Sequence, residues 1–298
     1  MSYAHLTQAL ILLGLSAYLL FGGADFGAGL WHLVVRRRDG QAVIEHAMAP
    51  VWEANHVWLI FVMVLSWTAF PPVFASIMSQ HWVPLSLAAV GIVVRGSAFV
   101  FAKAQPGWRH QKWAFGLSSV LTPYCLGSVA GTVATGKPGS GVYAGLLTVG
   151  LCAYLAAVYL TWDARRLDRW EVAARFRTYA LIAGVAIGVA GLPGALIFGV
   201  RSPLIGLSAV AGLISLVLLW RRVYVAVRVT AALAVGTVLW GAADLGHLDL
   251  DRFAAPDSVL QVVLLALGVG AVLLVPSLAW LYVLFQRSTQ HLERGSST

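Results

Sequence analysis

Four side chains stand out because an apolar membrane span would normally reject them: Asp25, Glu53, His56 and Arg95. Each lies in a long hydrophobic run, where a charge costs at least about 2.5 kcal/mol. Intramembrane acids and bases are therefore functional hypotheses by default. Carboxylates and a titratable imidazole in series could form a hydrated path for protons or cations. The other reading is a buried ion pair, Arg95 with Glu53 or Asp25, that locks the helices together. Either way Arg95 needs a counter-charge, and these two acids are the candidates.

Spacing adds detail. Glu53 and His56 are one turn apart on a helix and share a face. Gly22, Gly23, Gly27 and Gly29 surround Asp25. Small residues let membrane helices approach closely, and they also leave room for water or a cofactor beside the carboxylate. Close packing alone would account for these glycines. The segment Phe21–Gly27 is echoed by Trp240–Gly246 with four identities in seven, an echo that a Gly- and Ala-rich chain produces by chance.

Haem b in a helix bundle needs facing histidines, or His with Met, deep in the spans. Of the eight histidines only His56 is well inside a span, and one ligand does not make such a site. His46 and His56 have no metal-ligand spacing. Cys125 and Cys152 lie in apolar runs without CxxC or CxxCH spacing, so they indicate neither a disulfide framework nor a c-type haem.

The elements that must position these groups follow from composition. Of 298 residues, 59% are hydrophobic and 11% charged, whereas a soluble domain is about a quarter charged. A water-soluble monomer is excluded. A hydrocarbon core of about 30 Å needs roughly 20 helical residues. Windows of that size fall near Leu6–Val35, Val51–Phe70, Val83–Ala102, Trp113–Ala134, Val142–Trp162, Tyr179–Gly199, Pro203–Trp220, Val223–Ala243 and Val259–Phe285. This predicts an all-α integral membrane protein of about nine transmembrane helices. Eight is the alternative, because the seventh is short and set off only by Arg201-Ser202-Pro203 and Arg221-Arg222. The first apolar run lacks a basic n-region and reads as a span rather than a signal peptide.

The net charge of +8 is topological rather than a sign of nucleic-acid binding. Sixteen of the 20 Lys and Arg fall on one side of the nine-helix arrangement and three on the other, with Arg95 inside a span. By the positive-inside bias the N-terminus lies outside and the C-terminus in the cytoplasm. Asp25, Glu53, His56 and Arg95 then share the cytoplasmic half, about 5–15 Å from that surface at a rise of 1.5 Å per residue. The charged stretch from Asp163 to Arg177 is expected to form an exposed juxtamembrane helix or turn. The chain reads as one polytopic domain, 1–298, with an N-terminal bundle (1–135) bearing the polar cluster. A C-terminal bundle plus a last helix follows (140–285).

On these residues the sequence resembles subunit II of the cytochrome bd family of quinol oxidases. The segments are Gly23-Ala-Asp25-Phe-Gly27-Ala-Gly29 and Ala49-Pro-Val-Trp52-Glu53-Ala-Asn55-His56-Val57-Trp58-Leu-Ile60. Phe70-Pro-Pro-Val-Phe74 and Val94-Arg95-Gly-Ser-Ala-Phe-Val-Phe-Ala-Lys103 add to them. The likeness covers about the first 105 residues; beyond them only hydropathy and helix count agree. Many family members carry a further Asp where Gly22 stands, so a proton path that relies on that acid is altered or missing here. Glu53 takes a place often held by Asp.

The resemblance implies two four-helix bundles plus one peripheral helix. It also implies a heterodimer in the bacterial cytoplasmic (inner) membrane, whose haem-bearing subunit I holds haem b and haem d. This chain would bind no cofactor directly, quinol would be the substrate of the complex, and a small third subunit is left open. Asp25 and Glu53 would then carry protons from the cytoplasm, with His56 and Asn55 extending the hydrogen-bonded chain. Arg95 would hold the acids ionised and fixed, since a nearby cation favours the carboxylate. The rivals are a secondary transporter or cation-conducting protein using the same cluster, and a purely structural anchor for a haem subunit.

Overall fold

Each apolar window becomes a helix, because a chain in lipid must satisfy its backbone hydrogen bonds within itself. The computed structural model describes residues 2–48, 52–104, 109–137, 139–198, 202–244 and 250–295. The first span, Tyr3–Val34, is 32 residues long. It consists of α1 (Tyr3–Ala17), one π turn (Tyr18–Gly22) and α2 (Gly23–Val34). The chain continues through α3 (Arg38–Met48), α4 (Trp52–Ala69), α5 (Pro71–Gln80), α6 (Trp82–Ala104) and α7 (Arg109–Thr135). Then come α8 (Ser140–Arg166), α9 (Trp170–Phe198), α10 (Pro203–Trp220), α11 (Tyr224–Asp244), α12 (Leu250–Phe253) and α13 (Asp257–Gly295).

Among the described residues seven helices are long and apolar enough to span, or eight if the bent pair α4 and α5 counts as one. This sits with the lower of the two expected counts, but for a different reason. The short seventh window survives intact as α10. Among the described residues the second window is the one that departs from a straight span. Pro71 and Pro72 cannot continue the amide ladder of α4, and the chain bends there by 119°. The ninth window, α13, enters that count only through its described residues, as the apolar stretch Asp257–Leu273.

α8 is the centre of the packing. Half of its apolar window is buried, against 11% for α9. It lies against α7 and α9, receives α2 on one side and rests its last turns near α3. α10 and α11 form a hairpin that closes on α8 and α9. The outward faces of α6, α9, α10 and α13 carry exposed Val93, Leu196, Leu213 and Leu265, a surface suited to lipid rather than water.

The sequence reading gave α3 no element, because a polar stretch beginning Arg38-Asp39-Gly40 lacks the length of a span. Its Val43 and Ile44 are buried in the core formed by α2, α7, α8 and α9. Its polar face is tied down by Arg175 on Asp39 at 3.0 Å and by Lys112 on the Gln41 side chain at 3.2 Å. The Arg175 guanidinium, helped by the Gly40 amide, holds the Asp39 carboxyl below its ordinary range.

The charged stretch 163–177 is a tight turn between two helix ends. α8 runs to Arg166 and α9 starts at Trp170. Arg177 then donates to the terminal carbonyls of α10, Leu219 at 3.0 Å and Trp220 at 2.9 Å. A cation there suits the negative end of the helix dipole.

Candidate functional site

α2 presents Asp25 toward α6 and α7, and the reason is visible in its glycines. A Cβ on Gly27 would collide with the backbone carbonyl of Cys152, and one on Gly29 with the Ser119 hydroxyl. The absent side chains let α2 sink between α7 and α8, carrying Asp25 into the bundle. Both readings offered for these glycines, close approach and space beside the acid, reduce here to close approach.

Arg95 on α6 meets Asp25 there. Nη2 donates to Oδ1 at 2.7 Å and Nη1 to Oδ2 at 2.8 Å. Nη2 also reaches the Asp25 carbonyl at 3.0 Å, and Nε donates to the Ser119 hydroxyl at 2.9 Å. Ser119 in turn donates to the Phe115 carbonyl at 2.7 Å. The guanidinium carbon lies 4.9 Å from the ring centroids of both Phe26 and Phe115. Arg95 is 2% exposed and Asp25 7%. Such a charge is tolerable only because its partner, its hydrogen bonds and its two aromatic faces are all in place.

Of the two partners offered for Arg95, the structure pairs it with Asp25. Glu53 stands in the first turn of α4, near the positive end of that helix dipole; its side chain lies outside the described residues. Asn55 is buried and donates from Nδ2 to the Phe21 carbonyl at 3.2 Å. It thereby ties α4 to the π turn. His56 packs edge-on to Tyr18, with ring centroids 6.4 Å apart. Tyr18 also meets Phe26 edge-on at 6.3 Å, and its buried hydroxyl has no hydrogen-bond partner among the described residues.

The π turn thus faces Asn55 and His56 while Asp25, three residues further on, faces Arg95. A π turn inside a helix often marks a functional site, and no residue pattern announced this one. Ser119, Phe115 and Tyr18 were also missed. A serine or an aromatic in an apolar helix looks like any other core residue until its partner is known. The echo of the first segment proves empty: Asp244 is exposed at the end of α11, whereas Asp25 is buried. Among the described residues no three His, Cys, Asp or Glu side chains are grouped so as to hold a metal ion.

A family model for cytochrome bd terminal oxidase subunit II matches residues 3–285. The chain belongs to that family. Cytochrome bd ubiquinol oxidase subunit 2 of Bacillus subtilis strain 168 is 29% identical over 129 residues, 41% of this chain and 37% of that protein. Cytochrome bd-I ubiquinol oxidase subunit 2 of Escherichia coli K12 is 23% identical over 202 residues, 60% of this chain and 53% of its own length. The matched stretches therefore span between a third and just over half of these relatives. Family membership places Asp25 and Arg95 in a subunit of a terminal oxidase.

Proposed function

We propose that this chain acts as subunit II of a bd-type quinol oxidase in the bacterial cytoplasmic membrane. Its N-terminus lies outside and its C-terminus in the cytoplasm. It pairs with a haem-bearing subunit I, in which quinol supplies electrons and oxygen is reduced to water; haem b and haem d reside there. Reduction of oxygen consumes protons as well as electrons, and this chain supplies part of the proton route from the cytoplasm. The observation that carries the reading is the buried Asp25–Arg95 pair in a family member, three hydrogen bonds joining the two and a fourth tying Arg95 to Ser119.

The roles divide by geometry. Arg95 fixes the carboxylate of Asp25 and the position of α2 against α6. Asp25 and Glu53 carry protons along the route, His56 extends it one turn from Glu53 at the foot of α4, and Asn55 holds that foot against the π turn. A second reading is favoured by the same four hydrogen bonds: the pair is a lock that only holds helices together.

Oxygen uptake by the purified complex separates the two. Asp25→Asn and Glu53→Gln should each lower quinol-driven uptake while haem content stays at the wild-type level. Normal turnover per haem with poorer assembly would favour the lock.

A further inference from the structure

We propose that Glu45 and His32 form the cytoplasmic mouth of this proton route, Glu45 collecting protons at the surface and His32 handing them inward. The inference rests on the proton-route reading above and names where that route opens.

His32 is seven residues after Asp25 on α2, two turns along and on the same face. That places it about 10 Å nearer the Arg36–Arg38 end at 1.5 Å per residue. The ring is buried, 9% exposed. Its Nε2 faces Glu45 Oε1 at 3.3 Å, and the Glu45 side chain is 64% exposed. Its Nδ1 is also buried and has no partner among the described residues. A histidine that only packs normally has its buried nitrogens hydrogen-bonded. Here one nitrogen touches a surface acid and the other points into the protein unpaired, which is the arrangement of a relay.

The interior side leads to the ion pair. The His32 ring stands edge-on to Phe115 at 6.0 Å, and Phe115 is one of the two rings flanking Arg95. Gly29 lies between His32 and Asp25 on the same face, and the Ser119 hydroxyl fills the space its side chain would take. Among the described side chains, the charged and imidazole groups on the surrounding elements are Arg38, Asp39, Glu45 and His46 on α3, Arg95 on α6, Lys112 on α7, and Asp163, Arg165 and Arg166 at the end of α8, with Asp25 on α2 itself. Lys112 is engaged with Gln41 and Asp39 with Arg175, and Glu45 is the acid in contact with the imidazole. In the transfer, protonated Glu45 gives its proton to Nε2 and becomes the carboxylate, and the imidazolium releases its Nδ1 proton to a water molecule that comes to Nδ1 from the interior side. A flip of the neutral ring then takes the Nε2 proton away from Glu45 and turns a bare nitrogen toward it, so Glu45 reloads from the surface and one proton goes in for each taken up.

The test uses the assembled oxidase, with oxygen uptake measured against pH and haem content determined for each preparation. Glu45→Gln, an exposed change that spares the fold, should reduce uptake increasingly as pH rises and protons become scarce. His32→Ala should reduce it about tenfold or more, with partial recovery on adding imidazole, which a packing role would not give. Wild-type rates and pH profile in Glu45→Gln would overturn the proposal, as would a His32→Ala loss that imidazole does not relieve. Asp25→Asn and Glu53→Gln run in parallel separate the two failures. If they are slow while Glu45→Gln and His32→Ala are normal, only the mouth is wrong. If all four are normal, the proton-route reading fails as well.

Discussion

Asp25 and Arg95, 70 residues apart in sequence, meet fork to fork in the bundle interior at 2.7 and 2.8 Å. Breaking such a pair from one side strands a buried charge and costs about 3–5 kcal/mol, whereas replacing both members with apolar residues is often neutral. Arg95→Met or Asp25→Leu alone should therefore lower the thermal stability of the solubilised protein sharply. The double variant should recover most of the loss without regaining oxygen uptake. Full recovery of uptake in the double variant would reduce the pair to helix glue.

Gly27 is the tightest point between α2 and α8, with the Cys152 carbonyl where a side chain would go. Backbone cannot swing aside as a flexible side chain can. Gly27→Ala should cost about 1–3 kcal/mol through overpacking and weaken the Asp25–Arg95 contact with it. Gly188→Ala, where nothing lies within 4 Å of an added Cβ, is the matched control. Thermal unfolding of the two variants decides it, and equal stability would contradict the packing described.

Asp39 and Arg175 pin α3 to α9 with a pH dependence of known sign. The folded carboxyl is held below its ordinary value, first by the Arg175 hydrogen bond and then by the Gly40 amide. Its stabilisation is thus fully present above the ordinary value of about 3.9, and is lost as pH falls through the folded value. The stability gap between wild type and Asp39→Asn should be flat from neutral pH to about 5 and close below about 4. A gap that widens on acidification would reverse the sign and refute the contact.

Asn55 ties the foot of α4 to the π turn through the Phe21 carbonyl. Asn55→Ala removes this tie between the two elements, a loss of about 0.5–1.5 kcal/mol. Amide hydrogen exchange should rise at residues 18–25 before it rises in α8. Unchanged exchange there would show that the π turn stands without its neighbour.

Much of this was legible in the residues. Hydropathy places the helices because lipid leaves the backbone no other choice; Asp25 and Arg95 draw notice because burial makes them costly, and Asn55 through the family resemblance alone. Partner choice was not legible: Asp25 and Glu53 are equivalent acids until the glycine face of α2 decides which one reaches Arg95. The α3 helix was hidden because its apolar face is two residues wide, and His32 because its significance depends on Glu45, thirteen residues away across a turn. The second window ends in the sequence just before Pro71, but the 119° bend that follows needed the geometry.

Copurification tests the central claim most directly. The tagged chain, expressed in a bacterial membrane with its neighbouring genes, is purified and read for haem absorption and quinol-driven oxygen uptake. The account predicts that haem and oxidase activity coelute with the tag through a second polypeptide, and that the chain expressed alone carries no haem. Stoichiometric haem in the isolated chain, or a tagged chain that purifies without haem partner or oxygen uptake, would contradict it.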